Sequence, residues 1–418
     1  MRRRDLIAVV INGVIGAGIF GLPSKVFALA GAYSLISFAV CAVCVSFIVL
    51  SFAEVASRFS ETGGPYIFAR ESYGPLTGFT VAWLVWLARV TAFSANCTLL
   101  PDYVSYFFPS LATGIPRALL VTSVVVTFAA VNVRGVRTVT ATSNILAVAK
   151  LIPLAVFVLA GVLFLNMRNF SGSPVPGYHS FSQSVLLLVY AFTGFEMAVI
   201  PAGEIRNTER DLPLALMAGM GIIVAAYISI QVVSIGTLPG LAHSQRPLAD
   251  AAARFLGVRG AVIVTAGIIV SLAGNLNVLI LSASRLIYAM AKRGELPPPL
   301  AVIHTRFRTP AVSVIFTAAL MLVLTLSGTF VYLVTLSVLS RLVTYLLTCG
   351  AAPTLRHRFR RPAPFALPGG VAIPAVGMAV TLWLLSNTSW REAAAVFVAT
   401  LAGLGTYWLS RRFRAPES

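Results

Sequence analysis

The fold is decided near the start of the chain, where residues 12 to 23 read Asn12-Gly13-Val14-Ile15-Gly16-Ala17-Gly18-Ile19-Phe20-Gly21-Leu22-Pro23. Four glycines and a proline stand here inside an apolar run. In a helix interior each glycine costs about 1 kcal/mol relative to alanine, and a proline costs about 3 kcal/mol. The stretch therefore predicts an interrupted helix, although glycines in apolar helices also serve close packing against neighbours.

The composition around this stretch is that of a membrane protein. Of the 418 residues, 58% are hydrophobic and only 11% are charged, whereas soluble domains are about 45 to 50% apolar. One helical crossing of a bilayer takes roughly 20 residues. The apolar runs are unbroken and lack the alternation of membrane β-strands. We therefore expect an all-α membrane protein and exclude soluble enzymes.

Twelve apolar runs predict twelve spans, with boundaries near 6–30, 33–57, 77–107, 116–132, 142–165, 179–203, 213–238, 258–291, 310–326, 329–351, 370–387 and 391–410. Most of the 31 lysines and arginines fall in loops on the side of the N-terminus. Such loops face the cytoplasm. The net charge of +18 is thus explained by topology and not by nucleic-acid binding. We expect a multi-pass protein of the plasma (inner) membrane with both termini cytoplasmic.

A second interruption is predicted in the sixth run, which reads Tyr190-Ala191-Phe192-Thr193-Gly194-Phe195-Glu196. Taken alone, Gly194 also fits close packing. Unwound backbone at membrane depth is tolerated only where it faces protein or a wet cavity. Two interrupted spans five apart indicate a transporter built from five-span inverted repeats. The predicted division is 1–165 for the first repeat, 166–351 for the second, and 352–418 for spans 11 and 12 with a short tail.

Residues 16–21 also match the dinucleotide-binding pattern G-x-G-x-x-G. That motif needs an acidic residue about 20 positions further on, and the next acid is Glu54, so we regard the match as coincidental. No cofactor is expected. No metal site is expected either, because the four histidines all fall in loops: His179, His243, His304 and His357.

Four stretches resemble the amino acid–polyamine–organocation (APC) superfamily of permeases. They are residues 16–20, 52–66, 192–196 with the downstream Glu204 and 210–213, and 282–291 with 296–298. Together they cover most of the first eight spans in the order of the family. Residues 292–295 depart from the family pattern in a cytoplasmic loop. The resemblance implies a leucine-transporter-like 5+5 inverted-repeat fold, in which the unwound first and sixth spans hold the substrate between a bundle and a scaffold.

The resemblance also implies the substrate site. The substrate α-carboxylate would bind backbone N–H groups of Gly16, Ala17, Gly18 and Ile19. Its α-ammonium would bind the carbonyls of Ile15, Tyr190, Phe192 and Thr193. This division agrees with the attraction of half-helix N-termini for anions and of freed carbonyls for cations. Phe192 and Phe195 would close over the substrate as gates, with ordinary packing as the alternative for each.

Lys150 lies inside the apolar run 142–165, and an ionisable residue at such depth is a functional candidate. The resemblance implies that its ammonium replaces a bound sodium ion, which makes it a candidate coupling residue. A static structural cation is the alternative.

Glu196 follows the second predicted interruption. It can pair with a cationic substrate side chain, with Lys150 or Arg89, or with a neighbouring helix. Arg285 resembles a family position and is a candidate for a gate or structural ion pair with Glu54 or Glu204. Arg341 and Arg89 receive no role from the sequence.

These features predict a secondary-active amino acid transporter that works by alternating access and is not an enzyme. The expected partners are a small amino acid, the lipid bilayer and, if transport is a symport, protons. We expect sodium-independent symport or exchange of a neutral or broad range of amino acids. A cationic amino acid or polyamine transporter of the same fold is the alternative. A polytopic membrane enzyme and a channel are weaker rivals, because the acidic residues are dispersed among loops and span ends.

Overall fold

The computed structural model describes residues 3–59, 63–135, 151–199, 205, 208–359, 363–367 and 369–412. Within these ranges the regular structure is helical and no strand is present. The helices are α1 (Arg3–Val14), α2 (Ala17–Ala30), α3 (Ser34–Ser57), α4 (Pro65–Tyr73), α5 (Pro75–Val104), α6 (Gly114–Arg134), α7 (Leu151–Phe164), α8 (Tyr178–Phe192), α9 (Thr208–Thr237), α10 (Pro247–Phe255), α11 (Gly257–Lys292), α12 (Ala311–Ser327), α13 (Phe330–Arg358), α14 (Ala372–Ser386) and α15 (Trp390–Arg412).

The lengths of these helices fit a bilayer. In the part of the chain that the structure describes, eight helical stretches are long and apolar enough to cross a membrane, the first being the 41-residue stretch Ala17–Ser57 that contains α2 and α3. Three further apolar helices, α7, α12 and α14, are shorter. The prediction of an all-α membrane protein is confirmed. The count of twelve spans and the inverted repeat remain predictions.

Both predicted interruptions are present. Helix α1 ends at Val14 and α2 begins at Ala17. Helix α8 ends at Phe192 and is followed by a short 3-10 helix, Phe195–Ala198. The prediction that the first and sixth spans are discontinuous is therefore confirmed.

One compact unit of the chain comprises residues 1–81, 160–247 and 341–388. Buried polar contacts tie its helices together. Gln231 on α9 donates to the hydroxyl of Ser34 at the start of α3 over 2.9 Å, and Ser184 on α8 donates to Ser37 over 2.7 Å. Both interruptions belong to this unit, so it contains every residue of the predicted substrate site.

A second compact unit comprises residues 82–159, 248–340 and 389–418. Two asparagine pairs join α5 and α6 to α11: Asn96 donates to Asn275 over 2.7 Å, and Asn132 donates to Asn277 over 2.9 Å. Arg89, which the sequence left without a role, donates to the carbonyl of Ser282 on α11 over 3.1 Å. Hydrogen bonds of this kind hold helices together where lipid offers no alternative partner.

Each unit takes segments from both predicted repeats. The division into two five-span repeats, 1–165 and 166–351, followed by 352–418, stays a prediction.

Candidate substrate site

The first interruption lies at Ile15 and Gly16. The N–H of Ile15 still donates to the carbonyl of Ile11 over 3.0 Å, but Gly16 is extended, with φ −134° and ψ −156°, and α2 starts directly after it. Glycine offers no side chain to cap the new helix, and none caps it here. The first N–H groups of a helix have no partner inside it and carry a partial positive charge. The amide groups at the start of α2, at Ala17, therefore favour a negative charge.

The second interruption lies at Thr193 and Gly194. Thr193 is extended, and Gly194 has φ 112°, a left-handed conformation that glycine adopts without a steric penalty. The carbonyl of Tyr190 accepts two hydrogen bonds from Thr193, one from its N–H over 3.3 Å and one from its hydroxyl over 2.8 Å. Thr193 therefore closes the end of α8 and uses a carbonyl that the sequence analysis assigned to the substrate ammonium.

The last turn of α1, just before the first interruption, touches the second interruption. A Cβ atom placed on Gly13 would lie 2.8 Å from the carbonyl oxygen of Gly194, and a Cβ on Gly194 would collide with the carbonyl oxygen of Gly13. One turn further on, a Cβ on Gly18 would lie 2.7 Å from the Cα of Ala191. Glycine is thus required by packing at positions where it also loosens the helix. The amides at the start of α2 and the carbonyls at the end of α8 therefore lie close together, in one neighbourhood.

Tyr227 on α9 completes this neighbourhood. Its hydroxyl donates to the carbonyl of Val14 over 3.1 Å, so it satisfies one of the acceptors released where α1 ends. Its ring packs against Phe192, with the ring centroids 5.4 Å apart. The sequence did not indicate Tyr227, because one tyrosine in a largely apolar span carries no signal about the carbonyl that it meets.

The predicted gate residues are both fully buried. Phe192 lies between Tyr227 and Phe38, with its ring centroid 6.4 Å from that of Phe38. Phe195 packs on Phe52 of α3 and Tyr345 of α13, with centroid distances of 5.3 and 5.5 Å. The rings sit beside the interruptions, as a gate requires, and their movement over a substrate stays a prediction.

Glu196 is bound by three donors. Its Oε1 forms an ion pair with the Nη1 of Arg341 on α13. Its Oε2 accepts the N–H of Gly194 over 2.9 Å and the hydroxyl of Tyr345 over 3.2 Å. Of the partners that the sequence left open, the structure thus shows a neighbouring helix, and it gives Arg341 a position beside the second interruption.

Glu54, near the end of α3, is also held by an arginine of α13. Arg356 donates to both carboxylate oxygens, over 2.6 and 2.5 Å, and the N–H of Leu367 reaches the same carboxylate over 3.3 Å. One turn later the hydroxyl of Ser57 accepts the N–H of Phe365 over 3.3 Å. This end of α3 therefore binds both the end of α13 and the segment that follows it.

Arg356 occupies both oxygens of the carboxylate that the sequence analysis offered to Arg285. Arg285 itself is exposed on α11 in the second unit. Its other candidate partner, Glu204, and the candidate coupling residue Lys150 lie outside the described residues. Just past the end of α3, burial lowers the pKa of Arg58, and the nearby Glu54 opposes this shift.

Helices that are interrupted inside the membrane are a common feature of transporters, and the described part of this chain has two of them. The sequence model described as "Amino acid permease" matches residues 3–405. The chain belongs to this amino acid permease family of the APC superfamily, which confirms the resemblance seen in the sequence.

Several relatives have names that agree with this membership. The chain is 26% identical to the branched-chain amino acid permease BcaP of Bacillus subtilis, over 98% of this chain and 92% of the relative. It is 25% identical to the serine/threonine exchanger SteT of the same organism, over 95% and 93%. It is 27% identical to the human b(0,+)-type amino acid transporter 1, over 96% and 86%.

Proposed function

We propose that this protein is a secondary-active transporter of amino acids, that it works by alternating access in the cell membrane, and that it is not an enzyme. The observation that carries the proposal is the contact between Gly13, in the last turn of α1 just before the first interruption, and Gly194 in the second interruption. A zwitterion needs donors for its carboxylate and acceptors for its ammonium. The start of α2 offers the first and the end of α8 offers the second.

We place the α-carboxylate at the N–H groups of Gly16, Ala17, Gly18 and Ile19. The dipole at the start of α2 favours a negative charge there. We place the α-ammonium mainly at the carbonyls of Ile15, Phe192 and Thr193. The carbonyl of Tyr190 contributes less, because it already accepts two hydrogen bonds from Thr193.

We propose a neutral amino acid as the substrate. Glu196 would be the natural partner of a cationic side chain, but Arg341 already compensates its charge. The names of two relatives, a branched-chain amino acid permease and a serine/threonine exchanger, also point to neutral substrates. The name of the human relative, a b(0,+)-type amino acid transporter, does not specify a neutral substrate. The experiment below therefore tests cationic amino acids together with neutral ones.

We further propose that transport is independent of sodium, that Lys150 is the coupling residue, and that the partner process is either proton symport or exchange. Both termini are proposed to be cytoplasmic, because the lysines and arginines of the sequence collect on their side.

The test uses the full-length protein in proteoliposomes. A panel of unlabelled neutral, cationic and acidic amino acids and a polyamine competes with the uptake of labelled leucine and serine. Sodium is replaced by choline at fixed pH, and uptake is compared with and without a pH gradient or internal amino acid. Liposomes without protein and liposomes with the Gly194→Ala variant serve as controls.

We expect saturable uptake with counterflow, unchanged by the removal of sodium and inhibited best by neutral amino acids. Flux that does not saturate and shows no counterflow would indicate a channel. A chemically altered label, detected by mass spectrometry, would indicate an enzyme. Best inhibition by lysine, arginine or the polyamine would replace the neutral substrate class with the cationic one.

A further inference from the structure

Glu196 and Arg341 form a buried pair of opposite charges beside the second interruption. Their side chains are 8% and 11% exposed. The carboxylate is also tied to the interruption itself, because the N–H of Gly194 donates to it. The pair therefore lies next to Phe192 and Thr193, whose carbonyls are proposed to receive the substrate ammonium.

We infer that Arg341 is a specificity-determining residue, which excludes cationic amino acids by neutralising the carboxylate of Glu196. This inference rests on the proposed function and names the device behind its substrate class. Arg341 acts through Glu196: by pairing with this carboxylate it sets the net charge beside the proposed substrate site.

The electrostatics of the position support this inference. Charges interact far more strongly in a buried site than in water, and a buried carboxylate without a partner is strongly unfavourable. With Arg341 in place, the pair carries no net charge and has no net attraction for a charged side chain. Without Arg341, a lysine or arginine substrate would supply the missing cation.

Arg341 also has an unused donor. Its Nε–H is buried and has no hydrogen-bond partner among the described residues. If Glu196 lost its charge, the guanidinium would be left as a buried cation with at least this donor free. The pair thus makes two opposite predictions, one for each partner that is neutralised.

The experiment neutralises each partner in turn in the full-length protein. The proteins compared are wild type, Arg341→Gln and Glu196→Gln, and the ligands are leucine, serine, lysine and glutamate. Relative affinities are measured by competition in proteoliposomes. They are also measured in detergent from the rise in melting temperature with each ligand, because a ligand that binds the native state stabilises it. We expect Arg341→Gln to improve the affinity for lysine, relative to the neutral amino acids, at least tenfold. We expect Glu196→Gln to improve the relative affinity for glutamate by a similar factor.

Two controls separate charge selection from a structural effect. Arg356 lies on α13, as Arg341 does, and is the partner of another buried glutamate, Glu54. The Arg356→Gln variant is expected to gain no affinity for lysine. The double variant Glu196→Gln/Arg341→Gln has neither charge and is expected to gain affinity for neither charged class.

Wild type that binds lysine as tightly as leucine or serine would overturn the inference, whichever variants fold. So would an Arg341→Gln or Glu196→Gln protein that melts cooperatively but keeps the selectivity of wild type. If one of the two single-residue variants does not fold, the other variant and the competition measured for wild type still test the inference. Wild type that binds none of the amino acids would instead reject the proposed function.

Discussion

Gly13 and Gly194 meet backbone to backbone, so that a Cβ atom on either residue would press on the carbonyl oxygen of the other. This contact joins the last turn of α1 to the interruption after α8. It involves main chain on both sides, which cannot move aside as a flexible side chain can.

Replacing Gly194 with alanine is expected to abolish transport and to lower stability. The φ of 112° alone is strained for alanine by about 1 to 3 kcal/mol, and the contact with Gly13 adds to this. Thermal unfolding and leucine uptake measure the two effects. Gly221→Ala is the matched control, because Gly221 lies in helix α9 with nothing within 4 Å of a Cβ. The control is expected to keep transport and to gain up to about 1 kcal/mol. Equal behaviour of the two variants would contradict the role of the contact.

Replacing Gly18 with alanine is expected to wedge α2 away from α8. The added Cβ would lie 2.7 Å from the Cα and 3.1 Å from the Cβ of Ala191. Substrate affinity should fall, since the amides at the start of α2 would shift. Ala191→Gly in the same chain is expected to restore affinity only in part, because it removes the Cβ contact and leaves the backbone contact. Full affinity in Gly18→Ala would show that the two helices tolerate separation.

Replacing Tyr227 with phenylalanine is expected to weaken substrate binding about tenfold, which corresponds to about 1.4 kcal/mol. The variant keeps the packing on Phe192 but leaves the buried carbonyl of Val14 without this donor. An unsatisfied buried acceptor costs about 1 to 3 kcal/mol of free energy, and here it lies at the end of α1, beside the proposed substrate site. Tyr332→Phe, at a residue 37% exposed, controls for the loss of a hydroxyl. Competition binding measures both. An unchanged affinity in Tyr227→Phe would mean that the carbonyl of Val14 does not depend on this bond.

Replacing Glu54 with glutamine is expected to destabilise the protein by about 3 to 5 kcal/mol, because breaking a buried pair by removing one partner leaves the other uncompensated. The double replacement Glu54→Leu/Arg356→Met should recover most of this loss. A smaller deficit should remain, since the N–H of Leu367 also loses its acceptor. Melting temperatures of the purified variants test this order. A double variant less stable than the single one would contradict it.

Replacing Lys150 with alanine is expected to reduce transport severely with a modest effect on expression, because the proposed role in place of a bound sodium ion requires a positive charge at this position. Lys25→Ala is the control, at a lysine that donates to Gln245 over 3.2 Å, and it should keep transport. Uptake normalised to protein amount is the measurement. Full activity of Lys150→Ala would remove the coupling hypothesis.

The interruptions could be predicted from the sequence because they depend on local preferences. Glycine and proline weaken the interior of any helix, and this indicated a break within residues 12–23. The structure locates it at Ile15 and Gly16. Helix α2 then continues through Gly18, Gly21 and Pro23. At Gly18 only the packing interpretation holds, since Gly18 lies within a helix and packs against Ala191. At Gly194 both interpretations hold, because this glycine combines an interruption with a close contact.

The partners of the buried charges could not be predicted, because they lie far away along the chain. Nothing in the sequence around Glu196 or Glu54 points to Arg341 and Arg356. Both arginines belong to one helix, α13, and only folding shows that it reaches both glutamates. The same is true of Tyr227 and the carbonyl of Val14.

Helix α13 is attached through Arg341 to Glu196 and through Arg356 to Glu54, at two points roughly four turns apart. Each residue added to or removed from a helix rotates everything beyond it by about 100°. A single insertion or deletion between these two arginines would therefore turn one of them away from its glutamate. Mutation can vary the side chains of this segment, but the number of residues in it is fixed.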